Sequence, residues 1–248
     1  MSTFRVALSG DFKRPDGSPA FPVFDLSPLR DNPDVEVAYV KAEGAIAAAD
    51  MAGFDALILL GARFARESFP GDGRLAAVAR FGVGYDNVDI GACTDNACAA
   101  VITPDGVRRP VAVAIITLML ALTGKLMVKD RLTRRGPDGW AQRSDHMGVG
   151  LVGKTLGSLG IGNIGAELFR LATPFDMNFI AHDPYADPTV AEALGIRLVG
   201  IDALFAEAEV LSVSCPLNEE TRHIVNAQRL ALMKPTAYLI NTSRGPVV

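Results

Sequence analysis

Apolar positions fall in short runs separated by turn-forming residues. Residues 4–9, 35–40, 54–60, 75–80 and 99–103 each read as a strand. The run 54–60 is almost continuously apolar, as a strand covered on both faces requires. Between these runs, 26–31 and the alanine-rich 44–52 read as helices. Residues 11–22, rich in Pro, Gly and charge, read as loop. Strands alternating with helices predict a small parallel-sheet α/β unit.

Residues 104–110 read as a loop and 111–123 as a buried helix. The apolar run 111–122 is the longest in the chain and too short to span a bilayer. Residues 125–135 form a basic amphipathic segment, broken by 136–140. A second unit then begins near residue 150. Its strands are expected at 155–161, 178–182, 197–199, 210–214 and 237–241. Its helices are expected at 166–173, 190–194, 201–206 and 226–232. That order suits a doubly wound sheet. Such a sheet ordinarily carries about six strands. Five are legible, so the chain is expected to be a fragment or an incompletely recorded chain.

Composition narrows the function classes. Hydrophobic residues make up 49% of the chain and charged ones 21%, which predicts a globular protein with a substantial core. A net charge of −4 with scattered Lys and Arg supplies no basic face, so no nucleic-acid partner is expected. No membrane partner is expected either. Three cysteines, Cys93, Cys98 and Cys215, are too few for a disulfide framework and fit a reducing cytoplasm. Three histidines and no CxxC pair give no expectation of a metal site. Residues 1–9 read as a strand rather than a signal peptide.

The chemistry-bearing motif is Gly160, Gly162 and Gly165, a G-x-G-x-x-G between a strand and a helix. Gly160 permits the tight turn, Gly162 admits a pyrophosphate to the backbone, and Gly165 lets the helix pack on the sheet. The helix N-terminus offers free N–H groups and a positive dipole end. The next strand ends in Asp183, 18 residues beyond Gly165, close to the spacing of a carboxylate that holds the adenine ribose hydroxyls. A glycine-rich turn with a solvated Asp is the plainer alternative. At Arg80, Gly82, Val83 and Gly84, a buried strand runs into small residues. Their N–H groups can form a nest for a carboxylate, or an ordinary turn capped by Asp86 or Asn87. Arg244 follows the last strand at the sheet edge where such folds bind ligands. There it is either a fork for a carboxylate or a surface charge. Cys215 and Pro216 end the preceding strand at the same edge, as a wall of the adenine side or as structure only.

Residues 80–89, 157–165 with 183–185, 213–221, and 232–248 together resemble the D-isomer-specific 2-hydroxyacid dehydrogenases. The resemblance runs from about residue 75 to the end. It implies a flavodoxin-like substrate domain at 1–105 and a Rossmann NAD-binding domain at 106–248. Residues 111–145 would be a linker and dimerisation segment, with 126–140 as the arm of a homodimer. It places the carboxylate loop on Gly82, Val83 and Gly84 and the catalytic arginine on Arg244. Pyrophosphate contacts fall on Asn163 and Ile164, the ribose carboxylate on Asp183, and further nucleotide contacts on Cys215, Thr242 and Ser243.

The implied activity is hydride transfer between NAD(H) and a small D-2-hydroxy acid or 2-oxo acid. A carboxylate at 183 favours NAD over NADP. The family's Glu and His acid/base pair lies beyond its arginine, and His146, His182 and His223 do not match it. The 248-residue chain alone is therefore expected to be inactive. The family often has His where Ser214 stands and Glu where Val113 stands. A non-catalytic NAD-binding sensor or corepressor is the alternative from another class. Formate or phosphite dehydrogenase is the runner-up among enzymes. Arg108 and Arg109 are expected in a loop, meeting a substrate phosphate or second carboxylate, or simply solvated.

Overall fold

The computed structural model describes residues 3–248. The chain divides into two compact units, Met1–Pro104 and Asp105–Val248. Both sheets of the fold are wholly parallel, one in each unit.

The first unit holds β1 (Phe4–Ser9), β2 (Val35–Val40), β3 (Ala56–Leu59), β4 (Ala77–Arg80) and β5 (Ala99–Val101). They pair in the order β2-β1-β3-β4-β5. This is the flavodoxin-like order, with its switch point between β1 and β3. Along β1, Ala7 packs into one core with Leu57, Leu59 and Phe64. Its neighbours Val6 and Leu8 pack into a second core with Phe12 and Phe81. Alternation thus buries both faces, as a parallel sheet demands. The helices are short: α1 (Ser27–Arg30), α2 (Ala48–Met51) and α3 (Ile90–Asp95). The alanine-rich 44–52 yields only the single turn of α2. Gly44 is left-handed, and the Ile46 N–H donates to the Arg63 carbonyl at 2.9 Å. Bridge pairing of Ala45 with Arg63 overrides the helical preference of the alanines.

The second unit is entered through α4 (Pro104–Thr123), α5 (Leu126–Arg134) and α6 (Pro137–Ala141). Then come β6 (Thr155–Leu159), α7 (Asn163–Ala172), β7 (Asn178–His182), α8 (Pro188–Ala193), β8 (Ile196–Leu198), α9 (Ile201–Glu207), β9 (Val210–Val213), α10 (Ala227–Leu230) and β10 (Tyr238–Asn241). The sheet order is β10-β9-β6-β7-β8. Counted from β6, that is the 3-2-1-4-5 order of a dinucleotide fold, with its switch point between β6 and β9. Leu156 of β6 faces one core with Ile115, Met119 and Phe169. Leu159 faces the other with Leu204, Phe205 and Leu211.

Three expectations need correction here. Residues 104–110 are not a loop but the first two turns of α4, because Pro104 presets φ at the start of a helix. Pro110 then sits inside the helix, which gives up one backbone bond there. Residues 137–141, expected only as a break, form α6 after a left-handed Gly136. Finally, α4 is long and apolar enough to cross a membrane by length and composition, and its burial is one-sided. Ala112, Ile115, Met119 and Thr123 are buried, while Val113, Leu118, Leu120 and Leu122 are exposed. Its buried face completes a core of the second unit.

Arg108 and Arg109 therefore project from a helix. Arg108 lies 3.6 Å from Asp105. Arg109 pairs with Glu167 of α7, whose other oxygen takes Arg170. The Glu167 side chain is only 5% exposed, covered by two arginines whose own side chains are largely exposed. The Arg109 hydrogen bond holds its carboxyl below the usual 4.5, against the opposing effect of burial. A carboxyl lowered on folding adds stability above its unfolded value and loses it as pH falls through the folded one. The gap in unfolding midpoint between wild type and Glu167→Gln should be widest at neutral pH and close as pH falls below the ordinary glutamate range. A gap that stays constant from pH 7 to strongly acidic pH would remove this ion pair from the docking of α4.

Candidate functional site

In the second unit, β6 and β7 run in register, Leu159 opposite His182. The Gly160 N–H donates to the His182 carbonyl at 2.9 Å, which carries the pairing one residue further. Asp183 is thereby delivered beside the glycine turn. One Asp183 oxygen accepts the Ile161 N–H at 2.9 Å and the other accepts the Tyr185 N–H at 2.9 Å. The carboxylate is oriented by backbone and keeps acceptor capacity for a ligand.

Each glycine of the motif meets a different constraint. Gly160 is left-handed at φ 97°, and a Cβ there would stand 3.1 Å from the Cys215 nitrogen. A Cβ on Gly165 would overlap the Gly160 carbonyl oxygen, so α7 packs directly on the turn. A Cβ on Gly162 would meet nothing within 4 Å. The turn is thus crowded on its sheet side and open at Gly162, where a ligand has to approach the backbone. Helix α7 begins at Asn163, three residues earlier than expected, with Gly162 as its N-cap. The N–H groups of Asn163 and Ile164 belong to its first turn, where backbone donors lack helical acceptors. This is the anion-binding geometry expected for a pyrophosphate.

A cavity of about 350 Å³ opens at the ends of β6, β7 and β9, lined by Gly160, Asp183, Pro184, Cys215, Pro216 and Ile224 among others. The wall is mostly apolar, with Asp183 on its rim. The Tyr185 hydroxyl reaches Glu220 at 3.0 Å, closing one side with residues 35 apart in sequence. Sequence reasoning marked the stretch 213–221 but assigned Glu220 no role. The local signal was Asn218 and Thr221. The Asn218 N–H donates to the Thr221 hydroxyl at 2.9 Å, and the Thr221 N–H donates to the Asn218 side-chain Oδ1 at 2.9 Å. Cys215 is 8% exposed, and burial pushes its thiol up to about 11. It is an inert wall rather than a nucleophile.

Thr242, Ser243 and Arg244 follow β10 at the same sheet edge. The Asn241 side chain accepts the Ser243 N–H at 2.9 Å and donates to the Arg244 carbonyl at 2.9 Å. The Ser243 hydroxyl donates to the Cys215 carbonyl. Arg244 is half-buried and donates to the Ser243 carbonyl at 3.0 Å. Asn241 is thus a positioning residue not expected from the sequence. Its signal was an Asn two residues before a turn Ser, the spacing of an Asx-turn.

In the first unit, Arg80 ends β4 and donates to the Phe81 carbonyl. Gly82 takes φ 137°. Its N–H is engaged by the Thr103 hydroxyl at 2.9 Å and the Arg80 carbonyl at 2.9 Å. The N–H groups of Val83 and Gly84 have no hydrogen-bond partner among the described residues, so they are the donors the loop offers. Of the histidines, His182 is tied by Nδ1 to the Val199 carbonyl at 2.9 Å, and it lines the cavity beside Asp183.

Comparison with known proteins fits this geometry. Residues 116–248 match the family model described as D-isomer specific 2-hydroxyacid dehydrogenase, NAD binding domain. Residues 24–114 match that family's catalytic domain. The chain belongs to the D-isomer specific 2-hydroxyacid dehydrogenase family. Relatives include D-3-phosphoglycerate dehydrogenase 2, chloroplastic, of Arabidopsis thaliana, 38% identical over 196 residues, which is 78% of this chain and 31% of that protein. Glyoxylate reductase of Thermococcus onnurineus is 35% identical over 201 residues, 78% of this chain and 60% of that protein. The chain thus spans a third to three-fifths of these two relatives. Among solved structures, a glyoxylate reductase from Paecilomyes thermophila superposes with TM-score 0.80 at 28% identity, covering 100% of this chain and 76% of that one. A D-lactate dehydrogenase from Aquifex aeolicus, complexed with NAD and lactic acid, has TM-score 0.81 at 23% identity, covering 98% and 70%; it supports the fold alone.

For this family member, the two inner glycines separate stability from binding. Gly165→Ala should lower stability by about 1–3 kcal/mol, the usual cost of overpacking. Gly162→Ala should leave the urea midpoint nearly unchanged and yet weaken NAD binding at least about tenfold, the effect of roughly 1.4 kcal/mol. Unchanged NAD affinity in Gly162→Ala would move the pyrophosphate away from this turn.

Proposed function

We propose that the chain is the substrate-loop domain and nucleotide domain of an NAD-dependent oxidoreductase interconverting D-2-hydroxy acids and 2-oxo acids. The observation that carries this reading is the cavity at the ends of β6, β7 and β9 with the backbone-held Asp183 on its rim. The open face at Gly162 and the apolar wall beside Asp183 fit the chemistry of a dinucleotide's pyrophosphate and adenosine end. When bound, NAD supplies or accepts the hydride at its nicotinamide ring.

The chain's residues then have separate tasks. Asn163 and Ile164 hold the pyrophosphate through backbone N–H groups. Asp183 accepts the adenine ribose hydroxyls and repels a 2′-phosphate, which favours NAD over NADP. Val83 and Gly84 donate to the substrate carboxylate. Arg244, held by the Asn241 bracket, stabilises charge developing on the carbonyl oxygen of the 2-oxo acid. The hydroxyl proton needs a separate acid/base. His182 is committed to Val199 beside Asp183, so the 248-residue chain is proposed to bind nucleotide without efficient turnover. We also propose a cytoplasmic homodimer, with the exposed Leu126, Met127 and Trp140 as its contact.

Asp183→Ala should weaken NAD at least about tenfold, since a hydrogen bond to a charged group is worth roughly 1.5–3 kcal/mol. NADP should lose far less, or gain. Equal losses for the two cofactors, by titration calorimetry, would remove Asp183 from cofactor choice. In a polypeptide that includes the acid/base, Arg244→Ala should lower 2-oxo acid reduction by about a hundredfold or more. Near-normal turnover would remove Arg244 from the chemistry.

A further inference from the structure

The first unit has a switch point of its own, between β1 and β3, where open α/β sheets accept ligands. Two successive backbone N–H groups, Gly61 and Ala62, converge there just after β3. Such a pair is an anion nest. The chain fills it from within. Asp11, two residues beyond β1, places Oδ2 at 2.7 Å from the Gly61 nitrogen and 2.9 Å from the Ala62 nitrogen. Its Oδ1 is buried and has no hydrogen-bond partner among the described residues. The fit is close: a Cβ on Gly61 would stand 3.2 Å from Oδ2.

This filled nest lies one strand away from the carboxylate loop. β3 and β4 pair with Leu59 opposite Arg80, and the Phe81 N–H donates to the Leu59 carbonyl at 2.8 Å. The turn at 61–62 and the loop at 82–84 therefore leave the same sheet edge at the same level, about 4.8 Å apart by strand spacing. Phe12, next to Asp11, meets Phe81 at 5.4 Å between ring centroids, and Phe24 meets Phe81 at 5.0 Å. The ground beside the loop thus holds aromatic rings, the Asp11 carboxylate in its nest, and the Arg80 guanidinium, which lies against Gly82 and is itself engaged by the Phe81 carbonyl.

We infer that Asp11 is a specificity-determining residue. It occupies the switch-point nest with the protein's own carboxylate and excludes substrates carrying a second anionic group, such as a phosphate ester. The accepted class is the 2-oxo monocarboxylate with an uncharged side chain. The inference rests on the dehydrogenase reading above and narrows its substrate. A substrate carboxylate seated on Val83 and Gly84 places the far end of a small 2-oxo acid within reach of the neighbouring strand ends. A phosphate there meets Asp11 where it would need donors, and like charges repel at short range.

The test is titration calorimetry on the NAD-loaded chain, with glyoxylate and 3-phosphohydroxypyruvate as probes. Prior titration with NAD alone tests the underlying reading, so the two failures separate. Wild type should bind glyoxylate at least tenfold more tightly than 3-phosphohydroxypyruvate. Asp11→Gly, which vacates the nest, should shift that ratio at least fivefold toward the phosphorylated probe. Asp11→Asn, which keeps the shape and removes the charge, should shift it in the same direction and guards against a folding defect in the glycine variant. A wild-type chain that takes 3-phosphohydroxypyruvate as tightly as glyoxylate overturns the inference. So does a ratio that neither variant moves.

Discussion

The parallel register of β6 on β7 is the constraint from which the nucleotide site follows. Leu159 lies opposite His182, so the next residues out of the sheet are Gly160 and Asp183. A slip of one residue would turn every side chain to the opposite face and take Asp183 away from the Ile161 N–H. Leu156 and Leu159, both fully enclosed, lock that register by filling separate cores on opposite faces. Hydrophobic burial therefore sets the position of a charged group to within hydrogen-bond tolerance. The glycine turn is a consequence of the same packing. Gly160 and Gly165 are required by crowding, and Gly162 is left with space.

Much of this was legible in the sequence because it is local. The strand at Thr155–Leu159 and the three glycines sit within a dozen residues, and Asp183 follows at a spacing set by one helix and one strand. The two parallel sheets were legible for a related reason: short strand-length runs alternate with helical segments, and the run 54–60 is almost continuously apolar, as a strand covered on both faces requires. What was not legible depends on contacts between distant segments. Tyr185 finds Glu220 only after β9 has been placed next to β6. Ala45 pairs with Arg63 instead of continuing a helix, although its neighbours favour one. Arg109 was misplaced because Pro104 and Pro110 together read as loop. The first opens a helix, and the second is carried within it beside the Arg109–Glu167 pair.

The two units use backbone donors in contrasting ways. In the second, the donors at the start of α7 stay open because Gly162 keeps side chains away. In the first, Gly61 and Ala62 are spent on Asp11, and Gly82 is spent on Thr103. Val83 and Gly84 remain. On the proposal for Asp11, selectivity for a small acid would arise less from added recognition groups than from donors already committed within the protein. That pattern is consistent with a family in which relatives of similar fold carry names as different as phosphoglycerate dehydrogenase and glyoxylate reductase.

The central claim is that the ends of β6, β7 and β9 form one dinucleotide site. Backbone amide chemical-shift mapping during a titration of the 248-residue chain with NAD tests it most directly. The account predicts saturable shifts concentrated at residues 160–165, 183–185 and 214–224, with the amides of Asn163 and Ile164 among the largest. Absence of saturable shifts, or shifts centred elsewhere in the chain, would contradict it.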